Sequence, residues 1–125
     1  MREWKKEMKI LIVDDASSML KAFRDILEAY GFRVHEAING EEALAKYSET
    51  MPDIVLMDIL MPKLDGISTT KKILENYPDA KIIVISAVGK SGLEKDCLSA
   101  GAKGFIKKPF KIKDLIHSID STVKN

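Results

Sequence analysis

The sequence is short of the features that mark secreted, membrane-bound and nucleic-acid-binding proteins. Its single cysteine, Cys97, excludes a disulfide within the chain, and no cysteine and histidine spacing indicates zinc. Its 20 basic and 19 acidic residues leave a net charge of +1, so the basic field that favours nucleic acid is absent. No apolar run approaches the ~20 residues that cross a bilayer, and the charged start lacks the apolar core of an export signal. We expect a cytoplasmic protein without direct contact to nucleic acid or membrane.

The composition is that of one folded domain. With 125 residues, 46% of them hydrophobic and 31% charged, the chain can form a single globular core. Met8, Lys9 and Ile10 would themselves make a plausible start of the domain. We therefore predict a short N-terminal extension over residues 1–8 and one domain over residues 9–125.

Five short apolar runs alternate with amphipathic stretches. The predicted strands cover residues 10–13, 34–37, 54–57, 82–85 and 104–106. The predicted helices cover 19–30, ended by Gly31, then 41–46 after an Asn39 N-cap, and then about 68–76, 93–99 and 112–123. Nearly continuous apolar strands are typical of parallel sheets that are covered on both faces. The pattern predicts an α/β fold with a doubly wound, five-stranded parallel sheet, whose ligands bind beyond the carboxyl ends of the strands.

Polar side chains follow the predicted strands at that edge. Asp14 and Asp15 come after the first strand, Asp58 after the third, Ser86 closes the fourth, and Lys108 follows the fifth. Three crowded carboxylates repel one another, by roughly 4 kcal/mol for each pair at ~4 Å and an effective dielectric constant of ~20. A divalent cation would offset this repulsion, and oxygen donors without histidine or cysteine favour Mg²⁺ over zinc.

Two further groups at this edge indicate phosphoryl chemistry. Mg²⁺ keeps waters and shares phosphate oxygens, so an incomplete protein shell suits a phosphoryl group. Lys108 supplies a fixed cation and Ser86 a hydroxyl donor, and both could reach phosphoryl oxygens as charge develops. These are the parts that phosphoryl transfer requires.

The motifs Ile10-Leu-Ile-Val-Asp-Asp15, Asp58-Ile-Leu-Met-Pro62, Ser86-Ala87 and Lys108-Pro109-Phe110 resemble those of the receiver (CheY-like) domains of two-component response regulators. Each motif alone is modest, but the four in this order and spacing are highly specific, and the resemblance covers essentially the whole chain. It implies the flavodoxin-like (βα)5 fold with strand order 2-1-3-4-5 and helices on both faces.

The resemblance also implies a role for each residue of the site. Asp58 would be the phosphoacceptor, attacking the phosphorus of a kinase phosphohistidine. Mg²⁺, which Mn²⁺ could replace, would be held by Asp15, Asp58 and the backbone carbonyl of Leu60, with Asp14 acting through water. Lys108 would pair with the phosphoryl group.

A conformational switch is implied by the same family. Ser86 would bond to the phosphorylated Asp58, and Phe105 would turn inward, altering the surface formed by the fourth helix, fifth strand and fifth helix. The bond between Lys108 and Pro109 would be cis. The chain would then be a signalling phosphoacceptor and not an enzyme, although it would assist its own phosphorylation and dephosphorylation.

The implied partners are a sensor histidine kinase and a downstream protein. That protein is either an effector or a histidine phosphotransfer domain that takes the phosphoryl group onward, and the sequence does not choose between them. A monomer is expected, and dimerisation on phosphorylation stays open, as does whether the receiver stands alone or belongs to a longer regulator.

Two other functions share a feature with this pattern, either the carboxylate after a strand or the doubly wound fold. A small Asp-nucleophile phosphohydrolase usually has a second aspartate two residues after the nucleophile, where this chain has Leu60, and needs a substrate-capping region that the sequence lacks. A flavodoxin-like cofactor module would need a hydroxyl-rich phosphate loop after Val13, which is also absent.

Three further residues are given structural roles only. Cys97 is predicted to be an apolar filler, Lys107 to be exposed, and Gly66 to be a turn residue that tolerates positive φ.

Overall fold

Strands and helices alternate along the whole described chain. The structure, a computed structural model, describes residues 8–59, 66–87 and 92–124. Its strands are β1 Lys9–Val13, β2 Arg33–Ala37, β3 Ile54–Ile59, β4 Ile82–Ser86 and β5 Gly104–Lys107. Its helices are α1 Ser17–Ala29, α2 Gly40–Thr50, α3 Gly66–Asn76, α4 Leu93–Ser99 and α5 Ile112–Lys124. No helix in these ranges is long and apolar enough to span a membrane.

The strands form one parallel sheet in the order β2-β1-β3-β4-β5. The predicted fold class and strand order are therefore confirmed. The chain winds outwards from β1 in both directions, so β1 and β3, which are not consecutive along the chain, lie side by side. Ligand sites of doubly wound sheets form at this boundary, outside the carboxyl ends of the two strands.

Each face of the sheet is covered by its own set of helices. Alternate residues of β1 divide between the faces: Ile10 and Ile12 pack with α1 and α5, whereas Leu11 and Val13 pack with α2, α3 and α4. Burial on both faces explains why the strand sequences are apolar almost without alternation. Cys97 lies buried in the second cluster, as predicted.

Helix α2 begins as the sequence predicts. The Asn39 side chain accepts a hydrogen bond of 2.8 Å from the backbone N–H of Glu42, and the Glu42 side chain accepts one of 3.2 Å from the N–H of Ile38. This reciprocal pair satisfies two backbone donors at the helix start. The opposite end is less regular, since Met51 takes a left-handed conformation with a φ of 47°.

The prediction that Gly66 is a turn residue is wrong. The glycine does not sit in a turn with positive φ but is the buried first residue of α3. A Cβ atom there would lie 2.7 Å from Ile59 Cδ1 and 3.1 Å from Met57 Cγ. The glycine is needed because the helix start approaches β3 closely, which is a tertiary contact and not a local turn preference.

Met8, which is predicted to belong to the N-terminal extension, instead packs in the core of the domain. Residues 1–7 lie outside the described residues, but Met8 is buried and its carbonyl accepts a 2.9 Å hydrogen bond from the N–H of Arg33. Met8 therefore contacts the folded body directly.

Candidate functional site

Two aspartates meet at the boundary between β1 and β3. The register pairs Val13 with Met57, and Asp14 and Asp58 are the next residues on their strands. The exposed fraction is 0% for Asp14 and 1% for Asp58. Asp58 lies inside β3, which runs two residues beyond its predicted end, whereas Asp14 directly follows β1. The strand order alone thus brings two carboxylates together in a buried place.

The backbone and side chain of Asp14 are both fixed by hydrogen bonds. Its N–H donates to the carbonyl of Ala37 at the end of β2 at 3.0 Å. Its Oδ1 accepts a 2.9 Å hydrogen bond from the N–H of Ala16, the N-cap of α1. The Oδ2 atom is buried and has no hydrogen-bond partner among the described residues.

Asp58 pairs with Lys108. The Lys108 ammonium donates to Asp58 Oδ2 at 2.8 Å, and the exposed fractions of the two side chains are 15% and 0%. The Lys108 backbone N–H donates to the carbonyl of Ser86 at 2.8 Å, which ties the end of β5 to the end of β4. Asp58 Oδ1 is buried and, within the described ranges, without a partner.

The electrostatic balance of the site is incomplete. The pKa of Asp14 is raised to about 7, mainly because burial disfavours the charged form and secondly because the Asp58 carboxyl group lies beside it. The Asp58 charge raises it further, whereas the Ala16 N–H and the Lys108 ammonium act in the opposite direction. The nearby lysine therefore does not fully offset two buried carboxylates.

The prediction of three crowded carboxylates is corrected in one respect. Asp15 is exposed, and the described residues contain no group of three acidic, histidine or cysteine side chains arranged to hold a metal ion. Asp14 directly follows β1 and is buried, whereas Asp15 lies at a bend between β1 and α1 and is exposed. The structure thus brings together Asp14, Asp58 and Lys108 and leaves Asp15 at the rim.

The residues named for the switch lie on neighbouring strands. Ser86, fully buried, ends β4 and is paired in register with Ile59 on one side and Lys107 on the other. Phe105 in β5 is paired with Val84 and packs, half-buried, against the cluster formed with α2, α3 and α4. Lys107 is exposed, as predicted. The bond between Lys108 and Pro109 is cis.

Leu60, whose carbonyl the family resemblance assigns to the metal, lies outside the described residues. Sequence reasoning missed a different residue, Phe23 of α1, which lies within the predicted helix 19–30 but was given no role at the site. The Lys108 ammonium lies over the Phe23 ring at 5.9 Å from the centroid. No local pattern could have revealed this contact, because it joins α1 to the segment after β5.

The residues present fit a divalent cation. Two buried carboxylate oxygens, Asp14 Oδ2 and Asp58 Oδ1, lack hydrogen-bond partners in the described part of the chain. Unpaired buried carboxylate oxygens are costly, and hard oxygen donors of this kind bind Mg²⁺ in proteins. Asp15 is the next residue after Asp14 but is exposed and does not join this pair in the structure.

A doubly wound sheet with paired carboxylates and a lysine at its switch point defines a flavodoxin-like α/β domain with an acidic ligand site. Residues 10–120 match the response regulator receiver domain family, and the chain belongs to that family. It is a CheY-like receiver of two-component signalling.

Known relatives extend over nearly the whole chain. The chemotaxis protein CheY of Thermotoga maritima is 44% identical over 117 residues, which are 93% of this chain and 98% of the relative. The chemotaxis protein CheY of Bacillus subtilis is 46% identical over 116 residues, which are 92% of this chain and 97% of the relative.

Solved structures are similar in fold as well. The CheX-CheY-BeF3-Mg+2 complex from Borrelia burgdorferi contains a chain that is 42% identical, with a TM-score of 0.83, covering 91% of this chain and 87% of that one. A receiver domain protein (CheY-like) from Methanospirillum hungatei is 30% identical with a TM-score of 0.86, covering 94% of both chains.

Proposed function

We propose that Asp58 accepts a phosphoryl group from the phosphohistidine of a sensor histidine kinase. A carboxylate oxygen of Asp58 forms a bond to phosphorus while the bond from phosphorus to the histidine nitrogen breaks. The observation that carries the proposal is the buried ion pair in which Lys108 holds Asp58 Oδ2 at 2.8 Å. The lysine fixes the carboxylate and stands ready to bond to the phosphoryl oxygens.

The proposed reaction depends on Mg²⁺, with Mn²⁺ able to replace it. Asp15, Asp58 and the backbone carbonyl of Leu60 would hold the ion, and Asp14 would act through water. When bound, the cation would neutralise charge on the carboxylates and on the transferred group. Asp14 Oδ2 and Asp58 Oδ1, which are buried and have no hydrogen-bond partner among the described residues, support this assignment.

The signal is proposed to leave through a change of surface. Ser86 would bond to the phosphorylated Asp58, and Phe105 would move further into the sheet, altering the face formed by α4, β5 and α5. That face would bind the downstream protein, an effector or a histidine phosphotransfer domain. The Borrelia complex, in which a similar chain is assembled with CheX, supports a protein as the direct partner.

The remaining parts of the proposal concern the chain itself. Residues 9–125 would be the functional receiver, with the buried Met8 packed in its core, and residues 1–7 would be an extension outside it. The protein would lower the barrier to its own phosphorylation and dephosphorylation without acting on another substrate. It would be a monomer before phosphorylation.

The decisive experiment is labelling at Asp58. The wild-type protein, incubated with acetyl phosphate and Mg²⁺, should gain one phosphoryl group, and Asp58→Asn should gain none. Asp79→Asn is the matched control, since it removes an exposed carboxylate far along the chain and should be labelled like the wild type. Mapping the modification by mass spectrometry to another residue in the wild type would contradict the proposal.

A further inference from the structure

The Lys108 ammonium has two partners of different kinds. It donates to Asp58 Oδ2 at 2.8 Å, and it lies over the ring of Phe23, 5.9 Å from the centroid. Phe23 is only 3% exposed, and the Lys108 side chain is 15% exposed. A cation within about 6 Å of an aromatic face is attracted by the ring quadrupole, and the attraction is larger where water is excluded.

The Phe23 ring is itself held in place. Phe110 stacks on it with ring centroids 6.2 Å apart and an angle of 15° between the planes. Phe23 belongs to α1, whereas Phe110 lies two residues after Lys108 in the segment between β5 and α5. The aromatic pair therefore joins α1 to the segment that carries the lysine, and it presents a fixed ring face beneath the ammonium.

Phosphorylation would change only one of these two partners. As an oxygen of Asp58 bonds to phosphorus, the bond from phosphorus to its donor breaks, and the carboxylate loses its charge by becoming an acyl phosphate. The ammonium must then pass from the carboxylate to the phosphoryl oxygens. The attraction to the ring does not depend on the charge of Asp58, so it carries a larger share of holding the ammonium in the transition state than in the resting ion pair.

We infer that Phe23 is a positioning residue for phosphoryl transfer, holding the Lys108 ammonium at the site while its carboxylate partner is converted. This inference rests on the proposed function of Asp58. A leucine at position 23 would fill similar space but would offer no quadrupole to the cation. The role therefore belongs to the ring electrons of Phe23 and not only to its volume.

The test varies the electron density of the Phe23 ring while keeping the shape of the side chain nearly constant. Phe23 is replaced by mono-, di-, tri- and pentafluorinated phenylalanine, and the initial rate of Asp58 labelling by acetyl phosphate with saturating Mg²⁺ is measured. We expect the rate to fall steadily with fluorination, by about fivefold for the fully fluorinated ring, which corresponds to about 1 kcal/mol. Affinity for beryllofluoride, a stable mimic of the phosphoryl group, should fall in parallel, and Phe23→Tyr should retain both.

The matched control is the same fluorinated series at Phe110. The Phe110 ring packs in the same cluster as Phe23 but is not the ring beneath the ammonium. A general effect of fluorine on packing would therefore appear at both positions, whereas an effect on the cation would appear at Phe23 alone. A rate that does not change along the Phe23 series, or changes equally along the Phe110 series, in a protein that labels normally overturns the inference alone. A wild-type protein that is not labelled at Asp58 overturns the proposed function and the inference with it.

Discussion

Replacing Asp14 by asparagine should stabilise the metal-free protein. The perturbation removes one of two buried carboxylates and keeps the size of the side chain. The asparagine amide oxygen can still accept the hydrogen bond that the Ala16 N–H donates to Asp14 Oδ1 at 2.9 Å in the wild type. What is lost is a negative charge that burial and the neighbouring Asp58 disfavour.

The magnitude follows from the pKa of Asp14. Raising it from 3.8 to about 7 corresponds, at 1.36 kcal/mol per unit, to a destabilisation of up to about 4 kcal/mol near neutral pH. The NH₂ group of the asparagine would be buried without a full set of hydrogen-bond partners, which costs on the order of 1–2 kcal/mol. We therefore expect Asp14→Asn to raise the free energy of unfolding by about 2 kcal/mol at pH 8.

The raised pKa of Asp14 also determines the direction in which its contribution to stability changes with pH. Because the raised pKa belongs to an acid, the folded state binds more protons than the unfolded state between pH 3.8 and about 7. The contribution of Asp14 to stability therefore falls as pH rises through that window. Asp14→Asn should therefore be less stable than the wild type by about 1–2 kcal/mol near pH 4, where the amide cost alone remains, and should reach its full advantage above pH 7.

Urea unfolding in EDTA, at several pH values between 4 and 8, measures this difference. Asp15→Asn is the control, since it makes the same change of charge at the exposed neighbouring residue and should alter stability by less than about 0.5 kcal/mol. An Asp14→Asn variant that is no more stable than the wild type at pH 8, or whose gain does not vary with pH, would refute the reasoning.

Three other predictions concern residues away from the site. Met51→Gly should stabilise the protein by up to about 1 kcal/mol in thermal unfolding, because Met51 has a φ of 47° and is exposed; Met51→Ala should bring no such gain. The pKa of His35 is lowered by burial and by the nearby charges of Lys46, Lys9 and Arg24, so its contribution to stability is present above pH 6.5 and is lost on acidification below it. Between pH 7.5 and 5.5 the free energy of unfolding should therefore change more favourably in His35→Gln than in the wild type, and an equal change in both would contradict this. Burial raises the pKa of the Cys97 thiol, so Ellman's reagent should react with it only on unfolding, with a rate that increases with urea; rapid labelling of the folded protein would show that the α4 packing is wrong.

Sequence patterns were sufficient for the fold because each element carries its own periodicity. Strands buried on both faces are apolar throughout, and helices such as α2 carry a capping residue and early acidic residues. The errors lie at element ends: β3 extends through Ile59, and α3 starts at Gly66. Those ends are set by sheet register and by the close approach of α3 to Ile59, which are tertiary contacts that no local window contains.

The sequence predicted which residues meet at the candidate site better than it predicted how those residues are arranged. Placing Asp14, Asp58 and Lys108 at one edge needs only the strand order and the motif positions. The division between a buried Asp14 and an exposed Asp15 depends on the path that the chain takes into α1, where Ala16 fixes the Asp14 side chain. The ring of Phe23 beneath Lys108 depends on how α1 packs against the segment after β5, which spacing along the sequence does not specify.

The instability of the site and its proposed affinity for a cation have the same origin. Two buried carboxylates beside Lys108 raise the energy of the metal-free protein, and a bound divalent ion would remove that energy. Because the ion must compete with a proton on Asp14, Mg²⁺ affinity should increase with pH up to about 7 in the wild type. Asp14→Asn should remove both the pH dependence of Mg²⁺ affinity and the excess stability of the acidified protein. If isothermal titration shows the pH dependence unchanged while the stability effect disappears, the two properties do not share Asp14 as their cause.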